Sequence, residues 1–183
     1  MRWAQTLSGV GNTSSPALHN TFMATTTDLA DFSSPYGSIH PRHKIPVGQR
    51  LALGARAVAY GEREIYWTGP VRPRVTAVEG GLKVQFESCT TDGIELRGAT
   101  GFEVQIDGKH WVAATAVQNA QMQFQCAVTI AAPADLTGSL TQLRYNWFRS
   151  VCYANETKDG FGTGRCAVYS GGLPAPPFVA LVG

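Results

Sequence analysis

The sequence predicts a chain of two parts: an α/β piece over residues 1–70, followed by a β-rich, antiparallel, sandwich-like domain over residues 71–183. Three observations carry this. An unalternated Thr-rich apolar run precedes a helical pattern in the first part. The hydrophobic period changes from 3.6 to two near residue 70. Turn signals then recur between short alternating runs, the mark of an antiparallel all-β fold.

In the first part, "TFMATTTDL" (21–29) lacks polar alternation and predicts a short strand buried on both faces, as in a parallel sheet. A loop over Ala30 to Lys44 follows. "IPVGQRLALGARAVAYGE" predicts a helix, with Pro46 near its start and Gly61 as its stop. Val47, Leu51, Ala55, Val58 and Ala59 share its apolar face, and Gly48 and Gly54 leave room for close packing. A strand, a loop and one helix cannot close an α/β sheet. Residues 1–70 are therefore expected to be the end of a larger α/β domain, and the chain a fragment or subunit.

In the second part, Leu82, Val84 and Phe86 alternate with polar residues, as do Phe102, Val104 and Ile106, and then Met122, Phe124, Cys126, Val128 and Ile130. Asp107-Gly108 between two such runs is a hairpin signal, and Gly80-Gly81 is a further turn.

The composition is 44% hydrophobic and 15% charged, ordinary for a globular chain. The formal net charge of +2, with scattered basic residues, gives no ground for a nucleic-acid partner or an anionic membrane surface. No apolar stretch approaches the ~20 residues of a membrane span. The N-terminus lacks the form of a signal peptide, which points to the cytosol. Four cysteines (Cys89, Cys126, Cys152, Cys166) and sequons at Asn12 and Asn155 point instead to a secreted or luminal setting. Cys152 and Cys166 flank a polar, Gly-rich loop that a local staple would hold. The expected disulfides are Cys152–Cys166 and Cys89–Cys126.

The chemistry-bearing candidate is His40 in "SPYGSIHPRHK" (34–44). A residue before proline is driven out of helical conformation, so His40 lies in the loop between strand and helix, where α/β folds place their sites. His43 could join it as a metal ligand, but no Cys or acidic cluster completes a set. His19 stands apart, and His110, beside Trp111, reads as structural. No nucleophile accompanies His40: there is no G-x-S-x-G elbow, and Ser38 is too near in the chain to attack with it.

The stretches "RWAQT", "HNTFMATTTDLAD", "SSPYGSIHPRHK" and "GQRLALGARAVAYGE" resemble the C-terminal part of sialate O-acetylesterases, SGNH-type serine esterases. "LRYNWF" (143–148) and "LPAPPF" (173–178) are similar to the family's later segments, so the resemblance runs from about Arg2 to Val182. It implies a chain formed by the C-terminal end of an SGNH-like α/β hydrolase domain followed by the β-rich domain. It further implies hydrolysis of O-acetyl esters of sialic acids, with His40 as base, no cofactor, and a lysosomal or secreted parent enzyme. The family's nucleophilic serine belongs to an early block. The chain alone is accordingly expected to be inactive, and to partner the N-terminal portion of the same enzyme. Many relatives carry Asp where Ser38 stands, and usually Asp where His43 stands. The acid that orients His40 is unassigned, with Asp28, Asp31 and a backbone carbonyl as candidates. The alternative is a non-catalytic β module that supports an esterase or binds glycan, with Trp111 and Trp147 stacking on sugar.

Overall fold

The computed structural model describes residues 20–37, 40–117, 125–147 and 166–183. Among the described residues the first regular element is helix α1 (Ile45–Gly54), with Pro46 in its opening turn. It widens into a π-helical turn over Ala55–Ala59. The helix stops where expected. Gly61 takes φ +73°, and the Glu62 amide turns back to donate to the Arg56 carbonyl.

The expected strand over 21–29 is not formed. These residues run irregularly into a turn at Thr27-Asp28, closed by the Leu29 amide on the Thr26 carbonyl. A strand exists only through a hydrogen-bonding neighbour, and no described segment lies beside this one as a ladder partner. The helix face is also rotated from its expected phase. Leu51 is 44% exposed, whereas Gly54 is buried. A Cβ on Gly54 would run into the Phe22 ring, which in turn meets Trp67 edge-on at 6.1 Å. Close approach at a glycine, rather than a leucine ridge, thus seats the helix.

Among the described residues ten strands follow: β1 (Val71–Val78), β2 (Gly81–Ser88), β3 (Glu95–Leu96), β4 (Phe102–Ile106), β5 (His110–Val117), β6 (Ala127–Ala131), β7 (Leu140–Tyr145), β8 (Val168–Ser170), β9 (Leu173–Pro174) and β10 (Phe178–Leu181). Seven form one antiparallel sheet in the order β1-β2-β6-β5-β4-β7-β10, and β3-β8-β9 form a small second sheet. The arrangement differs from the expected two-layer sandwich. The large sheet curls until its ends meet: Val75 of β1 bridges Val182, just past β10, and the Gly183 amide donates to the Val75 carbonyl at 3.0 Å. The result is a nearly closed, barrel-like sheet. Alternation along a strand is the same in a sandwich and a barrel, because both bury one face. Only the pairing of first and last strands separates them.

Most inward positions read from the sequence lie in the core, which Leu143 joins; Met122 and Phe124 lie outside the described residues. Leu82, Val84, Phe86, Phe102, Val104, Val128, Ile130 and Leu143 are all buried. Tyr145 stacks between Phe102 (4.7 Å between ring centroids) and Phe178 (5.6 Å). Its hydroxyl accepts from the Val168 amide at 3.0 Å, and burial pushes its titration well above the usual phenol range. Asp107 and Gly108, with φ of +50° and +68°, turn β4 into β5 as the hairpin signal requires.

Cys89 and Cys126 are joined by a disulfide with a Cα–Cα distance of 5.6 Å. It ties the end of β2 to the residue before β6. The bond closes a sequence separation of 37 residues, so Cys89→Ser should cost about 3–4 kcal/mol in the chain-entropy account. Chemical denaturation of the oxidised chain and the variant measures this. Equal midpoints would show that the bond adds nothing to stability.

Candidate active site

The stretch that carries His40 is built around two buried aspartates. Asp28 lies in the turn at 27–28 and faces Arg50 of α1 in a fork, with Nη1–Oδ1 at 2.6 Å and Nη2–Oδ2 at 2.7 Å. Arg50 Nη1 also donates to the Thr25 carbonyl at 2.7 Å. Tyr169 of β8 donates its hydroxyl to Asp28 Oδ2 at 3.1 Å. Burial, then the charge of Asp28, push the Tyr169 phenol far above its ordinary range, so it remains a donor. Arg97 lies 3.8 Å over the Tyr169 ring. With the Thr27 hydroxyl 3.4 Å from Cys166 Sγ, these contacts seat the segment on the β domain.

Asp31 is 1% exposed and faces Arg42, whose side chain is 35% exposed. Arg42 donates its backbone amide (3.0 Å) and Nε (2.7 Å) to Oδ2, and Nη2 (2.9 Å) to Oδ1. The Arg42 side-chain and backbone donors hold the Asp31 carboxyl down at about 2, against a usual 3.8. Ser33 adds to this, with its hydroxyl 3.5 Å from Oδ1 and 3.1 Å from Arg42 Nη2.

Between these ends the chain folds through successive turns. Ser34 donates its amide to the Asp31 carbonyl, Gly37 to Ser34, and His40 to Gly37 at 2.9 Å. Gly37 takes φ +94°, a conformation that favours glycine. The Ser34 hydroxyl donates to the His40 carbonyl at 2.6 Å and accepts from the Tyr36 amide at 3.3 Å. His40 is exposed beyond these ties. Such an imidazole can accept a proton from a hydroxyl brought to it, the action of a general base.

Sequence reasoning reached His40, Asp28 and Asp31 but left the orienting acid open. Both oxygens of each carboxylate are taken by an arginine, and among the described residues neither bonds the His40 ring. Ser34, Arg42, Arg50 and Tyr169 were missed. Two aspartates ahead of the loop and two arginines after it were the signal available. His43 is exposed, and His110 is exposed at the head of β5. Trp111 carries Arg144 at 4.2 Å on its ring, and Arg144 in turn forks onto Glu103. Asn12, His19, Ser38, Cys152 and Asn155 lie outside the described residues.

Known proteins resemble this chain throughout. The family described as "Sialate O-acetylesterase C-terminal domain" matches residues 73–182. The chain belongs to the sialate O-acetylesterase family. Sialate O-acetylesterase of Mus musculus is 36% identical over 187 positions, covering 100% of this chain and 32% of that protein. The Homo sapiens enzyme is 34% identical over 189 positions, covering 100% and 33%. The chain thus corresponds to a C-terminal portion and spans about a third of the length of these relatives. Among solved structures, a carbohydrate acetylesterase from Xanthomonas citri superimposes with a TM-score of 0.58 at 25% identity, over 82% of this chain and 30% of that one. The matched family and the structural neighbour both bear the name of an acetylesterase.

Two outcomes test this geometry. Asp28→Ala leaves Arg50 without its counter-charge and Tyr169 without its acceptor, and should destabilise the chain by about 3 kcal/mol in denaturant titration. The second concerns pH. The folded Asp31 carboxyl titrates below its unfolded value, so its stabilising contribution is complete above the ordinary carboxylate range and is lost as pH falls through about 2. The shift of the Asp31 side-chain carboxyl carbon should therefore hold steady from neutrality down to about pH 4 and move below it. Movement centred near pH 6 would contradict this assignment.

Proposed function

We propose that this chain is the C-terminal part of an enzyme that hydrolyses O-acetyl esters of sialic acids, with His40 as its general base. The observation that carries this reading is the match of the whole chain to sialate O-acetylesterases, with His40 on the family's Ile-His-Pro stretch and exposed in a hydrogen-bonded loop. In the proposed reaction a serine from the upstream portion attacks the acetyl carbonyl while His40 takes its proton. His40 then gives the proton to the sugar oxygen as its bond to the acetyl carbon breaks, so that the sugar leaves with a free hydroxyl. Water, deprotonated by the same imidazole, hydrolyses the acetyl-enzyme. Residues 1–70 would be the end of an SGNH-type α/β domain and 71–183 the β domain that supports it. Without the upstream portion His40 has no hydroxyl to activate, and the chain alone would be inactive.

Several features support an upstream partner. Tyr36, Ile45 and Tyr60 are 73%, 72% and 79% exposed, and all lie in the segment before the β domain. Leu181 of β10 is 74% exposed as well, and large apolar side chains left in water fit surfaces that another part of the enzyme covers. The disulfide fits an oxidising compartment, and the parent enzyme is proposed to be lysosomal or secreted. The glycan-binding alternative is less favoured, since Arg144 already occupies one face of Trp111.

The test joins residues 1–183 to the upstream two-thirds of the mouse relative and follows acetate release from O-acetylated sialic acid. His40→Ala should lower kcat by about 10²–10⁴-fold while the fold is retained. Activity within about tenfold of the parent would remove His40 from the mechanism.

A further inference from the structure

We propose that Asp31 and Arg42 form a clasp that positions His40 for proton transfer, making both of them positioning residues of the reaction. The inference rests on the reading of His40 as base and adds the device that holds it.

The loop needs such a device. Residues 33–37 are Ser, Ser, Pro, Tyr and Gly, and Tyr36 points into solvent, so burial of apolar surface cannot order them. What orders the loop is polar and is concentrated at its ends. Asp31 is the fixed end, sunk in the body of the protein. Arg42 is the other end, two residues beyond His40 and separated from it by Pro41. Three donors of a single residue converge on one carboxylate, and one of them is a backbone amide. The ion pair therefore locks the main chain next to the catalytic histidine as well as the guanidinium. A surface ion pair between two flexible side chains does no such thing. The Ser34 hydroxyl on the His40 carbonyl then fixes the apex from inside the loop.

The geometry also separates this role from that of a third member of a catalytic triad. A triad acid accepts from the imidazole. Asp31 instead spends both oxygens on Arg42. Its influence on His40 runs through the backbone, by limiting where the ring can stand. Loss of the clasp should then reduce the fraction of complexes in reacting geometry and leave substrate affinity largely intact.

The experiment has two arms. In residues 1–183, hydrogen exchange is measured for Asp31→Asn and for Arg42→Lys, which keeps the charge and loses the fork. Exchange at the Gly37, His40 and Arg42 amides should accelerate about tenfold or more, with β4 and β7 amides unchanged. In the enzyme joined to the mouse upstream portion, the same variants should lose up to about 10²-fold in kcat with KM within about twofold of the parent. If Asp31→Asn unfolds the chain, Arg42→Lys carries the test, since it leaves every buried charge in place. Unchanged loop exchange overturns the clasp. So does an unchanged kcat in these variants when His40→Ala abolishes activity, and that outcome leaves the base reading intact. Full activity in His40→Ala overturns the base reading, and the clasp's role with it.

Discussion

The carboxylate of Asp28 is where the parts of this molecule meet. It draws the Arg50 guanidinium from α1 and the Tyr169 hydroxyl from β8 onto one pair of oxygens. Among the described residues the segment at 21–31 has no sheet to join, and α1 is seated through a glycine. Neither would hold its place by apolar burial alone. A charge fixed by a bidentate fork and a neutral phenol supplies the direction that apolar contact lacks. The loop bearing His40 starts three residues beyond Asp28, so its orientation follows from that junction.

The β domain makes the junction possible. Tyr169 can present its hydroxyl because β8 is anchored: the Tyr145 hydroxyl accepts the Val168 amide, and Tyr145 is locked between Phe102 and Phe178 in the core. That core is enclosed because the sheet turns back on itself at Val75 and Val182. Curling brings β10 beside β1 and leaves few unpaired strand edges in the large sheet. A chain of contacts thus leads from barrel closure to aromatic core, to β8, to Asp28 and on to the loop. In a member of the sialate O-acetylesterase family, the β domain can in this way bear on the geometry of the segment that carries His40.

Electrostatics divides the labour between the two aspartates. Asp28 is shared among an arginine, a tyrosine and, through that arginine, the Thr25 carbonyl. It joins elements distant in sequence. Asp31 answers to Arg42 and the neighbouring Ser33, and closes a local loop. Both are buried carboxylates matched by arginine, which is what allows a charge to be buried at all. Neither needs to touch the imidazole to matter to it.

Much of this was legible in the chain. Alternation at Leu82-Val84-Phe86 and Phe102-Val104-Ile106 determined the inward faces, because side chains on a strand point alternately whatever the partner. Asp107-Gly108 determined a hairpin and Gly61 a helix stop, because both are local demands for positive φ. The Ile-His-Pro stretch pointed to His40 by resemblance. What the sequence could not determine were relations between distant residues. Whether alternating strands form two layers or one curled sheet depends on Val75 meeting Val182. Whether "TFMATTTDL" becomes a strand depends on a neighbour to pair with, and whether Leu51 or Gly54 faces inward depends on where Phe22 lies. Whether Asp28 and Asp31 serve the histidine or the arginines was settled only when folding brought Arg42, Arg50 and Tyr169 to their oxygens. Periodicity and turn chemistry are properties of neighbours in the chain, whereas pairing of strands and charges is a property of neighbours in space.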